Sequence, residues 1–160
     1  MKASGYFILL VTAVSIFGLT KYATATEAPD LSPGQTCYVP AYSHIYGGNR
    51  ELPILLTVTL SIRNTDPRNA ITLTTVGYYG TKGELIRQYL EHPLILKPFE
   101  STRYIVPQKD KAGGSGANFI VKWQSDKSVN PPIIESVMIG AEGQQGISFT
   151  SRGQAITTDN

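Results

Sequence analysis

One cysteine, one tryptophan and two histidines are all that 160 residues contain of these types. Cys37 has no second thiol to meet, so an internal disulfide is excluded. A solitary thiol is more often a small buried hydrophobe than a reactive group. Charge is also sparse, at 16% Asp, Glu, Lys and Arg, and neither sign runs together. Nucleic acid and anionic membrane surfaces attract clustered basic faces, and no such cluster exists, so nucleic acid is excluded as a partner. Nor does any stretch keep a helical period long enough for β-α-β units, which argues against a doubly wound sheet. Internal repeats and low-complexity tracts are absent.

What is present begins with a leader. Lys2 precedes an apolar stretch over residues 7–19 (FILLVTAVSIFGL), and Ala23 and Ala25 offer small residues at the −3 and −1 positions of a signal-peptidase site. Residues 1–25 are therefore expected to be a signal peptide, residues 26–35 a mobile polar lead-in, and residues 36–160 one domain. A helix over the apolar stretch rises about 20 Å, short of the roughly 30 Å hydrocarbon core. An uncleaved anchor, lengthened by Tyr6 and Thr20, is the alternative and the one route to a membrane. The protein is expected to be exported, to a periplasmic or extracellular site. Of 14 Lys and Arg, the leader holds Lys2 and Lys21 and no acid, leaving 12 basic against 12 acidic residues. Roughly 135 remaining residues suit one domain with a sizeable core.

Behind the leader the period is two. In the segment LTVTLSIR, Leu56, Val58, Leu60 and Ile62 alternate with Thr57, Thr59, Ser61 and Arg63, the pattern of a half-buried strand with one wet face. NTDPRN follows as a turn cluster. Ile71 and Leu73 have the opposite parity to Val76 and Tyr78, which calls for a bulge near Thr74-Thr75 or Gly77. Residues 84–91, 94–96, 102–106, 133–139 and the region of Ile147 and Phe149 read as further strands, and Phe119, Val121 and Trp123 share one face of another. About eight short strands spaced by turn signals predict an all-β, antiparallel β-sandwich of immunoglobulin-like type. A small barrel and a jelly roll are the alternatives.

The glycine-rich run GGSGA at 113–117 admits three readings. A phosphate loop needs Lys-Ser/Thr and a helix after the last glycine, whereas Ala117-Asn118-Phe119 leads into a strand. A nucleophile elbow needs Ser115 between strand and helix with a later histidine, but His44 and His92 both precede it. A chain reversal needs only the freedom of glycine, and it is the reading adopted, refined to a mobile loop with exposed amides that touches a partner. Cys37, His44, His92 and Met138 are the residue types of a blue-copper site in the wrong chain order, so no metal and no cofactor are expected. Glu135 lies within an apolar strand on the parity of Ile133, Val137 and Ile139. It must meet a cation such as Arg63 or Arg152 if that face is buried, lies in a groove if the face is open, and on an edge strand would be a charge that deters aggregation. Tyr38, Tyr42 and Tyr46 are expected to pack in the core.

The segments YVPAYSHIYGG, LTVTLSIRNTDP, GGSGANFIVKW, NPPIIESVMIG and QQGISFTSRG resemble an uncharacterised family of exported bacterial proteins, catalogued as a domain of unknown function. The resemblance spans roughly residues 35–156. It implies a bacterial, extracytoplasmic setting and carries no activity, cofactor or catalytic residue. The expected function is a non-enzymatic binding or accessory module for an envelope protein or ligand. Its candidate contact residues are His44, Arg63, Asn64, Asp66, Ser115, Asn118, Glu135 and Arg152, with none assigned to catalysis. A hydrolase assembled by the fold and a structural subunit of an envelope assembly are the alternatives.

Overall fold

The computed structural model describes residues 30–47 and 51–157. The leader expected over 1–25 lies outside them. No helix occurs among the described residues; eleven strands form two antiparallel sheets in a sandwich-like arrangement. They are β1 (Ser32–Pro40), β2 (His44–Tyr46), β3 (Pro53–Arg63), β4 (Ile71–Tyr79), β5 (Leu85–Gln88), β6 (Leu94–Leu96), β7 (Ser101–Val106), β8 (Asn118–Val129), β9 (Ile133–Glu142), β10 (Gln145–Arg152) and β11 (Gln154–Ile156).

One sheet runs β11-β1-β8-β4, with β5 and β6 occupying successive stretches of the same β4 edge. The other runs β10-β9-β3, with β2 and β7 sharing the far edge of β3. The two-layer antiparallel plan agrees with the expectation, while the sheet orders do not establish an immunoglobulin-like arrangement in particular. The expected strand over 94–96 is present as β6; the count exceeds eight in part because β2 and β11 have three residues each, too few to carry a period-two signal. The first strand begins at Ser32, inside the expected lead-in. Its Pro33-Gly34 pair reads as coil, yet pairing with β8 extends to Ser32 opposite Val129, across an irregularity between Ser32 and Gly34.

The alternation in β3 decides which side is core. Leu56, Val58, Leu60 and Ile62 are fully buried and meet Val39, Leu73, Val76, Phe119, Val121 and Met138 in one cluster. β4 keeps both of its apolar pairs inside by the predicted bulge, its register against β8 slipping between Leu73 and Thr75. The sheets are joined at one corner. Ser136, fully buried on β9, donates its hydroxyl to the Pro40 carbonyl of β1, and Gly153 N–H donates to the Ile134 carbonyl as the chain crosses from β10 to β11.

Cys37 and Trp123 lie in the core at 7% and 2% exposure. Burial pushes the Cys37 thiol up. Of the tyrosines expected in the core, Tyr42 alone complies, packing edge-on to Phe149 at 5.7 Å. Tyr38 and Tyr46 stand 37% and 55% exposed. Tyr78 is fully buried, and its hydroxyl faces Gly113 with no hydrogen-bond partner among the described residues. Burial first, and the Asp110 carboxylate second, push this phenol up to about 12.

Two outcomes follow from this packing. A methyl group at position 113 would overlap the Tyr78 hydroxyl, so Gly113→Ala is expected to lower unfolding free energy by about 1–3 kcal/mol in denaturant titrations. The Cys37 thiol should resist a charged thiol reagent in native protein and react at once in denaturant; prompt native labelling would contradict the core placement.

Candidate functional site

The loop 110–117 is tied to two turns of the sandwich. Gly114 has φ 76°, a left-handed conformation that suits glycine, and its carbonyl accepts hydrogen bonds from the Ser43 N–H at 3.0 Å and the Ser43 hydroxyl at 3.0 Å. The Gly113 carbonyl accepts from the Thr81 N–H and hydroxyl, each at 2.9 Å, and the Gly116 N–H donates to Thr81 Oγ1 at 3.0 Å. The run is thus a strap between the β1–β2 and β4–β5 turns, with the Gly113 and Gly114 carbonyls and the Gly114 and Gly116 N–H groups engaged. Arg87 braces its start through Asp110 at 3.5 Å. Ser115 is half-buried in the strap, and among the described residues no hydrogen bond joins it to a histidine. His44 shares a 3.1 Å hydrogen bond with the Tyr46 hydroxyl, and His92 is exposed between β5 and β6. Asn118, half-buried, opens β8 between Pro40 and Tyr79.

Asn64 and Asp66 belong to the fold as well. Asn64 is 2% exposed, and its amide donates to the carbonyls of Asn69 (2.9 Å), Leu96 (3.1 Å) and Lys97 (3.0 Å). Its Oδ1 accepts the Asp66 N–H at 3.0 Å. Asp66, 5% exposed, accepts the N–H groups of Arg68 (2.9 Å) and Asn69 (2.8 Å) and the Asn69 amide (3.0 Å) on Oδ1. On Oδ2 it accepts the Asn130 N–H at 3.2 Å and amide at 3.4 Å. The Arg68 N–H above all, with the Asn69 and Asn130 donors, holds this carboxyl down at about 2, against the opposing effect of burial. Such a carboxylate is a poor proton acceptor at neutral pH and a good anchor for the β3–β4 turn. A concavity of about 580 Å³ beside it is therefore walled by a turn whose acid is already saturated.

The residues that do converge stand on the open face of the five-stranded sheet. The pleat puts Ile134, Ser136 and Met138 of β9 inside, and Glu135, Val137 and Ile139 outside, which decides for the open-face reading of Glu135. Register then builds rows across four strands. Arg152 on β10 lies opposite Glu135 on β9, Glu135 opposite Ser61 on β3, and Ser61 opposite Arg103 on β7. The next row is Thr150, Val137, Thr59 and Ile105. Arg63, two residues from Ser61, donates through Nε to the Ser61 hydroxyl at 3.1 Å and approaches Glu135 at 3.9 Å. With side chains 58% and 28% exposed, this ion pair is loose and contributes little stability. Among the described residues neither Arg103 nor Arg152 has a carboxylate partner. Thr59, Ser61, Arg63, Ser101, Thr102, Arg103 and Val137 line a shallow depression of about 370 Å³.

Of the eight residues expected to make contacts, Arg63, Glu135 and Arg152 come together here. Arg103 was not among them, although the parity of β7 places it with Ile105 on one face and opposite to Val106. Phe99 also escaped notice. It has φ 60° in the corner between β6 and β7, a conformation usually given to Gly or Asn, and its ring is 71% exposed. The Glu100 N–H donates to the Lys97 carbonyl at 3.0 Å and the Lys97 N–H to the Glu100 carboxylate at 2.8 Å, which holds the corner closed.

Acid should act on the turn before it acts on the face. Because Asp66 titrates at about 2 in the fold and at an ordinary 3.8 otherwise, its contribution is complete above about pH 4 and is lost as pH falls toward 2. Chemical denaturation across that window should show stability falling in the wild type, and a shallower fall in Asp66→Asn.

Among curated proteins nothing matches this chain. It is similar to a solved structure, "Crystal Structure of Thermotoga maritima 1070", at 13% sequence identity and TM-score 0.41, over 75% of this chain and 92% of that one. A family model described as "Protein of unknown function (DUF3124)" matches residues 34–156, and on that match the chain belongs to this family.

Proposed function

We propose that the protein is an exported, non-enzymatic binding module of the bacterial envelope, and that its contact surface is the open face of the five-stranded sheet. The observation that carries this reading is the set Arg63, Arg103 and Arg152 on one exposed face around Glu135 and Ser61. Guanidinium groups left without tight partners are weakly hydrated fork donors, the type enriched where proteins recognise ligands. Three arginines against one carboxylate leave two positive charges unmatched in a domain that is otherwise close to neutral. Val137, Ile105 and Ile139 add apolar area beside them, the last two at 47% and 55% exposure. Of the polar residues nearer to a catalytic pattern, Asn64 and Asp66 are committed to turn geometry, and Ser115 is half-buried in the strap. The export half of the proposal rests on the leader at residues 1–25.

A photo-crosslinking residue placed at Val137 in intact cells tests the contact surface, with the same residue at Lys122 on the outer face of the other sheet as control. A discrete adduct is expected from Val137 alone, and Arg103→Ala with Arg152→Ala should reduce its yield at least tenfold. Equal adducts from both positions would sink the assignment. So would turnover of esters or peptides by the purified protein that Glu135→Gln or Ser115→Ala abolishes. Recovery of protein beginning at Thr26 from the extracytoplasmic fraction checks the export half.

A further inference from the structure

We infer that the depression between Arg63 and Arg103 is a subsite for the phosphate dianion of a small soluble sugar phosphate. This rests on the contact face proposed above and names its ligand.

The donor set points to the anion. Arg103 brings a guanidinium with no carboxylate partner among the described residues, and Arg63 brings a second whose Nε alone is firmly engaged, to Ser61. The two arginines sit diagonally, Arg103 opposite Ser61 and Arg63 opposite Ser101, and all four residues line the one depression. Thr59 adds a third hydroxyl from the same depression. Two guanidiniums and three hydroxyls exceed what the two oxygens of one carboxylate accept, whereas a phosphate monoester offers three terminal oxygens and about two negative charges. That charge matches the excess of arginine over glutamate on the face.

Size and surroundings point to the rest of the molecule. About 370 Å³ is at the small end of ligand sites. Beyond the arginines the surface alternates hydroxyls with small apolar groups, Thr59 and Thr150 beside Val137 and Ile105, which suits a ring with hydroxyl edges and C–H faces. A membrane phosphate is disfavoured, because surfaces that dock on anionic lipid carry larger clusters of basic residues than three arginines and a glutamate.

Glu135 makes the test sign-definite. A carboxylate next to Arg63 competes with an incoming anion, so neutralising it must favour binding if the ligand is anionic.

The experiment is a titration of purified, isotope-labelled protein followed through its backbone amides. Glucose 6-phosphate should saturate shifts confined to residues 59–63 and 101–105, with inorganic phosphate competing at the same amides and glucose giving none. Glucuronate should bind at least tenfold more weakly. Arg63→Ala and Arg103→Ala should each weaken binding at least tenfold, Glu135→Gln should tighten it about threefold, and Arg87→Ala should leave it unchanged. Unchanged thermal midpoints establish that the variants fold, as expected for exposed side chains. Absence of saturation, equal binding of glucuronate, binding only to vesicles containing phosphatidic acid, or weakening by Glu135→Gln would each overturn the assignment. If the titration fails while the Val137 adduct persists, the phosphate subsite is lost and the contact face stands. If the adduct is absent while the titration succeeds, the contact-face reading is what fails.

Discussion

Leu56, Val58, Leu60 and Ile62 leave water on one side of β3, and the same pleat forces Thr57, Thr59, Ser61 and Arg63 to the other. Every other feature is referred to that alternation. Because the side-chain period of a strand is two, a slip of one residue would bring Arg63 into the core and turn four apolar side chains outward, at a cost of several kcal/mol. Strand β3 also carries its neighbours with it: β9 and β7 are aligned so that Glu135 and Arg103 both fall level with Ser61. Core and arginine face are therefore two expressions of one register. A polar surface assembled from four strands needs no loop to position it.

The ends of the sandwich are held in a different way. At one end Asn64 and Asp66 gather the carbonyls and N–H groups of the β3–β4 turn, the β6–β7 corner and the β8–β9 turn. At the other, Ser43 and Thr81 hold the 110–117 strap. Both are short polar side chains standing in for backbone partners that irregular segments lack, a frequent arrangement where a sheet stops and buried amides still need acceptors. Residues of that kind resemble a functional site in sequence, since Asn, Asp and Ser near glycine serve binding and turn formation alike.

Much of the fold was legible because β3, β8 and β9 are long enough for period two to be unambiguous, and because the parity break between Leu73 and Val76 has one common remedy, a bulge. Of the three-residue strands, β6 was legible as an apolar triplet, whereas β2 and β11 were not, since pairing rather than pattern creates them. Ser32–Gln35 looked like coil for the same reason. For the site, Glu135 could be assigned a parity but not a side, because the apolar residues Ile133, Val137 and Ile139 share its face and suggested a core. Both faces of β9 are apolar enough, and only the packing of Met138 and Ile134 against the other sheet chooses between them. Arg103 escaped because its strand was read for its apolar members, and Ser115 drew notice for a glycine setting that serves the backbone.

The crossing at Gly153 has a consequence for how the molecule comes apart. A single uninterrupted run, Gln145 to Ile156, supplies the edge of one sheet and then the edge of the other, with Gly153 N–H bonded to Ile134 at the passage. Peeling β11 from β1 loosens the tether on β10, and freeing β10 uncovers Phe149 and Tyr42 between the layers. Neither layer can then melt alone, and the domain should lose its structure in one all-or-none step rather than sheet by sheet.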